Sequence, residues 1–480
     1  MTATIQEISW AIASIASIGF IVAAFLLQNG GFVSRPSLGR FRLLPTILMM
    51  TGCAHYAPEP LIDTPDILAA PAAVSLVRPY GCPSSPHTQA INLSAPLDED
   101  AIAALAVTAN PDLKALRARN GVNDAQVFSA GLMPDPTFSL GIDPILSGAD
   151  PVAGLASALG LDLNALRTRA VARQQAQAQR RQARMDLVWA EWQTAGQARL
   201  QAVRIAALEA QSVVARDSLA SAEHLLARYG AAASRGDVSA DPLQGARIAA
   251  LDAQQVARQA EKDLAVTRLE LNRLLGLPPT FRLRIAPVAA FAPLPDAVQL
   301  FALARQERSD LRALREGYDA QEAALRKAIL DQFPTLDLTI NGGRDTGRNV
   351  TLGPAIGFTL PLWNRNRGGI AIEKATRAAL KAEYEARLFQ TRAEIAAAVA
   401  ALAIARRQYT DLDGGLAEAT RQAEASRRAA TRGDLPDATA RAAEQILRDR
   451  QLLRLHSAQD IAEQTIALEL LTGAAREQWQ

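Results

Sequence analysis

The stretch Asp112-Leu113-Lys114-Ala115-Leu116-Arg117 recurs 198 residues later (310 minus 112) as Asp310-Leu311-Arg312-Ala313-Leu314-Arg315. Without gaps, 11 of 29 positions are identical between residues 112–140 and 310–338. Further matches follow in the same order: Pro136-Thr137 with Pro334-Thr335, Arg167 and Arg169 with Arg365 and Arg367, Arg235-Gly236-Asp237 with Arg432-Gly433-Asp434, and Leu274-Leu275-Gly276 with Leu470-Leu471-Thr472-Gly473. We conclude that two tandem copies of one structural unit make up most of the chain.

Short segments in each copy alternate between apolar residues and small or polar ones. The first copy has Phe138, Leu140 and Ile142, then Leu155, Leu159, Leu161 and Leu163; the second has Leu336, Leu338 and Ile340, then Val350, Leu352, Ile356, Phe358, Leu360 and Leu362. A period of two predicts β-strands with one apolar face. A half-buried sheet on a soluble core would show this alternation, and so would the strands of a membrane β-barrel.

The segments after the strands predict unusually long helices. No proline occurs from Leu166 to Arg228 or from Gly369 to Arg432, which allows helices of more than 60 residues. A helix of that length measures roughly 90–100 Å and must pack along partner helices. Within the first of these helices, Leu200, Val203, Ala207, Ala210 and Val214 follow the 3-4 spacing of a coiled-coil seam. The predicted fold is therefore mainly α-helical, with additional β-strands.

Both long helices end at the tripeptide Arg-Gly-Asp, at residues 235–237 and 432–434. Glycine suits the left-handed position past a helix end, and aspartate can cap the next helix. Capping therefore accounts for both glycines and both aspartates, but it leaves Arg235 and Arg432 unexplained.

The N-terminal region carries two apolar segments. Ile8–Leu27 is uncharged and about long enough to span a bilayer. A second run, Leu43–Met50, follows three arginines and precedes Thr51-Gly52-Cys53, which is the arrangement of a secretory signal. Because the small pair before Cys53 resembles the bacterial lipobox, we predict a targeting region at 1–52 and lipidation of Cys53.

The mature chain is predicted to begin at Cys53. Separately, we predict that translation truly starts near Val33, so that residues 1–30 are a spurious N-terminal extension. Residues 53–96 are proline-rich and lack periodicity, so we expect an extended tether there. The full chain has 51 Lys+Arg and 49 Asp+Glu, of which residues 1–52 hold three arginines and one glutamate. The remaining 48 charges of each sign exclude a nucleic-acid binder that relies on bulk charge.

The sequence contains no motif of an enzyme or a metal site. It has no Walker loop, no dinucleotide-binding glycine motif, no nucleophile elbow and no His-Glu-x-x-His. The histidines, at 55, 87, 224 and 456, are scattered, and the two cysteines, Cys53 and Cys82, cannot form a Cys-rich cluster. We therefore predict no catalytic residue, no metal site and no cofactor.

Together these features resemble the TolC-like outer-membrane efflux protein family, over roughly residues 93–473. The resemblance rests on the paired opening Asn110–Ala118, the helix ends Leu274–Pro279 and Leu470–Gly473, the repeat architecture, and the strand exit Phe358–Gly368. The most specific run, Pro361-Leu362-Trp363-Asn364-Arg365-Asn366-Arg367-Gly368, looks like the heavy-metal and cation-efflux branch.

The resemblance implies a homotrimer in contact with outer-membrane lipid. Twelve strands, four from each chain, would form one β-barrel in the outer membrane, above a coiled-coil barrel of helices that encloses a periplasmic tunnel. Such a channel passively conducts substrates from an inner-membrane efflux pump and its periplasmic adaptor to the outside. By position, Arg235–Asp237 and Arg432–Asp434 would be the tips that contact the adaptor, and Pro361–Arg367 the barrel-to-helix junction.

The implied domains are a first repeat at 97–276, a belt segment at 277–296, a second repeat at 297–473 and a tail at 474–480. Two alternative functions remain open from the sequence. One is a type I secretion exit duct, which exports proteins. The other is a non-channel periplasmic coiled-coil or adaptor protein, although an adaptor would have one helical hairpin rather than two in tandem.

Overall fold

The computed structural model of the chain describes residues 56–63, 74–75, 90–147, 152–286 and 293–479. The chain divides into two compact units, Met1–Asp63 and Thr64–Gln480. In the first unit the described residues are exposed and form no helix or strand. The predicted targeting region and Cys53 lie outside the described residues, so both stay predictions.

The second unit contains two successive sets of the same six elements. A short antiparallel pair, β1 (Val74–Ser75) and β2 (Ala90–Ile91), precedes them, and a 3-10 turn, Arg476–Gln478, follows them. The first set is α1 (Glu99–Ala109), α2 (Pro111–Gly131), β3 (Thr137–Asp143), β4 (Gly154–Asp162), α3 (Leu163–Ser234) and α4 (Ala240–Leu274). The second set is α5 (Ala297–Glu307), α6 (Ser309–Leu330), β5 (Leu336–Arg344), β6 (Val350–Phe358), α7 (Arg367–Thr431) and α8 (Asp437–Thr472).

Local sequence explains where several helices begin. The carboxylates of Asp98 and Asp162 accept hydrogen bonds from backbone N–H groups of the first turns of α1 and α3, at 2.8 and 2.9 Å. Asn110 caps α2 in the same way, at 2.9 Å, and Pro111 occupies its first turn. The two long helices have 72 and 65 residues, or roughly 110 and 100 Å, so α3 extends beyond its predicted bounds at both ends.

The helix α3 changes its neighbours along its length. Near its start it packs against α2 and α6, where Arg181 pairs with Glu316 at 2.7 Å. Farther along it packs against α4 and α8, where Arg204 pairs with Glu463 at 2.8 Å. Since α7 packs in the same manner against α6 and then α8, each long helix lies beside shorter helices placed end to end.

The helix α7 is apolar because it is rich in alanine, although most of its surface is not buried within the single chain. An 18-residue window of α7 has a mean hydropathy of 1.4, enough by length and composition alone to cross a membrane. The same helix packs along α8, and Arg427 of α7 pairs with Glu444 of α8 at 2.6 Å. We therefore assign the apolar character of α7 to helix-helix packing, as the predicted coiled coil requires.

Three apolar clusters lie midway along the helices. The first joins β2, α1, α3 and α4, and contains Leu105, Ile205 and Leu271. The second joins α5, α7 and α8, and contains Leu300, Ile395 and Leu468. The third connects the two sets of elements, because Val203 of α3 packs there against Ala462 and Ile466 of α8.

Some predicted boundaries differ from the packing. Ile91 and Leu93 are buried in the first cluster, so packed structure begins inside the stretch predicted as a tether. Trp479 is buried in the second cluster, which brings the predicted tail 474–480 into the core. In the predicted belt segment, Leu277 belongs to the first cluster, while residues 287–292 lie outside the described residues.

The last helix of each set ends at a glycine in the left-handed conformation. Gly276 has φ +62° and Gly473 has φ +70°. A β-carbon at Gly276 would lie 2.8 Å from the carbonyl oxygen of Ala109, and one at Gly473 would lie 3.0 Å from the Cα atom of the residue before α6. Beside Gly276, the side-chain amide of Asn110 donates to the carbonyl of Leu274 at 2.8 Å. The helix end is thus locked against α1 and α2.

In the second set, Arg308 takes the place of Asn110. Its side chain is 1% exposed, and it donates to the carbonyl of Leu471 at 2.9 Å. The guanidinium also lies 4.9 Å from the ring centre of Trp189 and donates to both carboxylate oxygens of Asp310, at 2.9 and 2.6 Å. Burial raises the pKa of Asp310, but the hydrogen bonds from Arg308 and Arg387 outweigh burial and hold that pKa below its ordinary value.

We predict that Gly276→Ala destabilises the protein much more than Gly236→Ala does. Both glycines have positive φ, so alanine costs about 1–2 kcal/mol of backbone strain at either position. Only at Gly276 does the new β-carbon also meet a backbone atom, because nothing lies within 4 Å at Gly236. The measurement is the thermal unfolding midpoint of each variant in detergent. Equal shifts would contradict the close packing of α4 against α1.

We predict that Asp310→Asn makes the unfolding midpoint less sensitive to acid. A carboxyl whose pKa is lowered by folding stabilises the protein above its unfolded pKa of about 3.9 and loses this contribution as the pH falls through its folded pKa. The control is Asp112→Asn at the equivalent position of the first set, whose side chain is 84% exposed. If both variants keep the wild-type dependence of the unfolding midpoint on pH, the interaction of Arg308 with Asp310 does not contribute to the acid sensitivity of the fold.

Candidate functional site

The strands β3 to β6 form one antiparallel sheet in chain order. Their register places the apolar residues on one face: Phe138, Leu140, Ile142, Leu155, Leu159, Leu161, Leu336, Leu338, Ile340, Val350, Leu352, Ile356 and Phe358. The other face carries small or polar residues, among them Thr137, Ser139, Ala156, Ala158, Thr339, Asn341, Thr351 and Ala355. Leu140 and Ile356 are 62% and 65% exposed, so the apolar face is uncovered. The predicted alternation is confirmed.

The two ends of the apolar face differ in chemistry. Aromatic side chains that are 51–81% exposed gather where the sheet meets the helices: Phe128, Phe138, Phe333, Phe358 and Trp363. Charged residues occupy the opposite, loop end, where Arg344, Asp345 and Arg348 follow one another closely. Aromatic rings concentrate where a membrane meets water, and strands of nine residues are long enough to cross its core.

Sequence reasoning missed Phe128 and Phe333, because each lies outside the alternating segments. The sequence feature that could have found them is composition. Only 5% of the chain is aromatic, and yet these rings gather where the sheet meets the helices.

The strands β3 and β6 are the two edges of this sheet. Each pairs with a single neighbour among the described residues, β3 with β4 and β6 with β5. A lipid bilayer offers no hydrogen-bond partner for an open edge. One chain therefore does not satisfy its own backbone in a membrane.

At the junction, the first long helix is tied to both sets of elements. Arg167 donates to the carbonyl oxygen of Leu330, the last residue of α6, at 3.2 Å, and to that of Pro334, in the connection from α6 to β5, at 3.1 Å. Arg169 donates to the carbonyl oxygen of Gly131, at 2.7 Å, at the end of α2. These two arginines therefore anchor α3 beneath the sheet.

The second junction is more local. Arg365 donates to the carbonyl of Pro361 at 3.2 Å, and Arg367 donates to that of Trp363 at 2.7 Å. Arg365 and Asn366 both adopt left-handed backbone conformations, with φ +47° and +49°. Although Arg365 and Arg367 match Arg167 and Arg169 in sequence, the side-chain hydrogen bonds that they donate to described residues stay within the connection from β6 to α7.

The structure corrects two strand ends. β6 ends at Phe358, whereas the alternation predicted a strand through Leu362, and β4 ends at Asp162, one residue before Leu163 begins α3. Leu360 and Leu362 are exposed and lie in the irregular segment between β6 and α7. Beyond Phe358 the backbone N–H of Thr359 still donates to the carbonyl of Thr335, at 3.3 Å, but Pro361 has no N–H with which to continue the pairing.

At the far end of the helices, the two Arg-Gly-Asp turns have the same geometry. Gly236 and Gly433 have φ +80° and +82°, which confirms the predicted left-handed position. The backbone N–H groups of Asp237 and Asp434 donate back to carbonyls of the last helical turn, at 3.0 and 2.9 Å.

The sequence had suggested that the two aspartates cap the following helices, but they do not. Neither α4 nor α8 has a side-chain cap at its start. Instead Asp237 accepts a hydrogen bond from Nε of Arg235 and Asp434 accepts one from Nε of Arg432, both at 2.8 Å. This Arg–Asp clasp explains the duplicated arginines, and all four side chains remain more than half exposed.

The two tips lie side by side. Arg228, near the end of α3, forms an ion pair with Asp437 at the start of α8. The structure thus brings both predicted tip tripeptides to one end of the unit, opposite the sheet.

Comparison with known proteins gives a match to one family over part of the chain and one shared fold. Residues 300–474 match the model of the outer membrane efflux protein family. The CmeC outer membrane channel of Campylobacter jejuni is 15% identical, with a TM-score of 0.66 over 83% of this chain and 95% of that one. VceC from Vibrio cholerae is 17% identical, with a TM-score of 0.63 over 78% and 96%.

The open state of the MtrE outer membrane channel of Neisseria gonorrhoeae is also similar, at 17% identity and a TM-score of 0.61 over 78% of this chain and 89% of that one. Among proteins with curated functions, none matches the chain by sequence. The matched structures are outer-membrane proteins, most of them described as channels, rather than enzymes. The match to the family model thus covers the second set of elements, and the described unit shares its fold with these outer-membrane proteins.

Proposed function

We propose that the protein is the outer-membrane exit duct of a tripartite efflux system. Three copies would form one channel that passively conducts substrates from an inner-membrane pump and its periplasmic adaptor to the outside. The observation that carries this proposal is the sheet, which has an uncovered apolar face, a polar opposite face and two unpaired edges. It stands at the end of helices that are roughly 100 Å long.

The number of copies follows from the strand count together with the family resemblance. Two copies would supply eight strands, and a barrel of about eight strands is filled by its own side chains. Three copies supply twelve strands and leave room for a lumen. Its wall would be the face that carries Thr339, Asn341 and Thr351, which suits a water-filled path.

The helices offer surfaces for the same assembly. Side by side in the half near the tips, the order is α4, α3, α8 and α7, so α4 and α7 are the outer pair. Both expose large apolar side chains, including Leu251 and Val266 of α4 and Phe389 of α7. Apolar residues on the outer helices of a bundle mark contacts with further helices. Three copies would close these helices into a tunnel.

The tips are the natural contact for an adaptor. Helices of roughly 100 Å carry the two Arg–Asp clasps far from the membrane, into the periplasm. Because the clasps of Arg235 with Asp237 and Arg432 with Asp434 are exposed and adjacent, they form one polar surface per chain.

Lipidation of Cys53 would add a second attachment to the outer membrane. The small residues before Cys53 and the apolar run Leu43–Met50 support this proposal. Incorporation of labelled palmitate into the wild type, and its loss in Cys53→Ala, would test it.

The function is tested by deleting the gene and restoring it on a plasmid. We expect the deletion strain to lose survival against metal cations, dyes or antibiotics, and the wild-type gene to restore it. Loss of a secreted protein alone would favour the type I secretion duct. Unchanged survival against every compound would count against small-molecule efflux.

We predict that Ile356→Arg removes the protein from the outer membrane, whereas Ala355→Arg does not. A charged residue on the lipid face near the membrane centre costs about 2–4 kcal/mol, while the neighbouring residue faces the lumen. The measurement is the amount of heat-modifiable oligomer in the outer-membrane fraction. Equal losses for both variants would show that the apolar face does not meet lipid.

We predict that Arg235→Glu with Arg432→Glu weakens adaptor binding and leaves the oligomer intact. A second variant exchanges each arginine with the aspartate of its own clasp, so that the ion pair is kept while the positive charge moves by two residues. Both variants should lose co-purification with the adaptor. If the exchanged variant binds normally, the arginines serve only to close the turns.

A further inference from the structure

We propose that the loop end of the sheet binds a phosphorylated acyl lipid of the outer leaflet, and that Arg344 holds the phosphate group. This inference rests on the channel proposed above, since it requires the sheet to cross the outer membrane with its loops outside. It assigns one lipid to each chain, and therefore three lipids to a trimer.

Arg344 is a charged residue on the apolar face of the sheet. The strand pairing places it in one row with Ile142, Leu155 and Val350, one residue from each strand. Every other residue on this face of the described strands is uncharged, and the aspartates of the strands lie on the opposite face. The aliphatic stem of Arg344 can therefore lie along apolar neighbours while its guanidinium reaches polar surroundings.

The height of Arg344 on the sheet matches that of lipid head groups. The row at the other end of this face contains Leu336 and Phe358, where the exposed aromatic rings mark the inner boundary of the membrane. Arg344 lies eight residues beyond Leu336 in β5 (344 minus 336). That distance is roughly 26 Å along the strand, or about 20 Å along the membrane normal at the usual strand tilt. Because the apolar band of a membrane barrel is about 25 Å tall, Arg344 lies near its outer border.

The row next to Arg344 on this face forms a shallow depression. It contains Leu140, Ser157, Gly342 and Leu352 in strand order, so small residues stand between two leucines that are 62% and 64% exposed. The hydroxyl of Ser157 donates to the carbonyl of Gly342 at 3.1 Å, so it presents no unsatisfied donor to lipid. Strands about 4.8 Å apart separate the two leucines by roughly 14 Å. An acyl chain can lie between them, below a phosphate held by Arg344.

The connection between β5 and β6 adds a second arginine. Residues 344–349 contain two arginines and one aspartate, for a net charge of +1 (2 minus 1). Both carboxylate oxygens of Asp345 accept hydrogen bonds from Asn349, each at 2.7 Å, so this aspartate closes the turn. The side chains of Arg344 and Arg348 form no hydrogen bond or ion pair with a residue that the structure describes. Their N–H groups are therefore free for a phosphate, which a guanidinium binds through two parallel hydrogen bonds.

The first hairpin has an apolar residue at the equivalent position. At the offset of 198 between the two copies, Leu146 corresponds to Arg344, and Leu146 is 94% exposed. Leucine suits the acyl region of a lipid but cannot bind its phosphate. The repeat therefore provides one phosphate site per chain, at the second hairpin.

The test is lipid binding by the protein that detergent extracts from the outer membrane, measured by native mass spectrometry. The probes are purified lipid A, a phosphorylated glycolipid of the outer leaflet, and the same lipid A after a phosphatase has removed its phosphates. We expect the wild type to bind up to one lipid A per chain and Arg344→Ala to bind it about tenfold more weakly. The dephosphorylated lipid should bind the wild type as weakly as lipid A binds Arg344→Ala.

Two further variants separate this role from the fold. Arg344→Lys keeps the charge but lacks the planar fork, so its affinity for lipid A should lie between those of the wild type and Arg344→Ala. Thr351→Ala changes a side chain beside Val350 on the opposite face, so it should bind lipid A as the wild type does. Equal binding of lipid A by the wild type and Arg344→Ala, or equal binding of both lipids by the wild type, would overturn the proposal.

The location of the protein is measured separately from lipid binding. A wild type that lies in the outer-membrane fraction but binds lipid A without dependence on Arg344 refutes this inference and leaves the proposed channel standing. A wild type outside that fraction refutes the channel, and this inference with it. If Arg344→Ala does not assemble, Arg344→Lys and the dephosphorylated lipid decide in its place. Binding of inorganic phosphate as tight as that of lipid A would show that acyl chains contribute nothing, and would overturn the assignment to a lipid.

Discussion

A sheet that crosses a membrane must leave no backbone group without a partner, and four strands cannot meet this requirement alone. The edges β3 and β6 are therefore the feature on which the rest of the molecule depends. In the proposed channel these edges require further copies of the chain, and those copies would bring the outer helices α4 and α7 against new neighbours. The exposed apolar residues on these helices follow from the same need.

Duplication supplies the geometry of that assembly, although the two copies no longer use the same side chains. Asn110 and Arg308 hold the last carbonyls of α4 and α8 at the same point of the two sets. Of these two residues Arg308 is the charged one, and it forms an ion pair with Asp310, whereas the equivalent Asp112 of the first set is exposed. Likewise Arg167 bridges the two sets while Arg365 contacts its own connection. The differences concentrate where one contact lies inside the chain and its equivalent faces outward.

Much of the fold could be predicted from periodicity, because strands with one apolar face and long proline-free helices leave local signals. The left-handed glycines of the tips were predictable for the same reason. The hydrogen bond between Arg235 and Asp237 could not be predicted, since an aspartate after a helix suits a cap and an ion pair equally well. The end of β6 at Phe358 was also hidden, because the apolar alternation continues to Leu362 past the end of the strand. The burial of Arg308 depends on Trp189, more than a hundred residues away.

The most direct test of the central claim is the number of chains in the particle that detergent extracts from the outer membrane, measured by native mass spectrometry. We predict three chains, since three sheets close a barrel of twelve strands and leave a lumen. A particle of one chain would contradict the account, because both edges of the sheet would remain unpaired. A particle of two chains would contradict it as well, because a barrel of eight strands has no room for a channel.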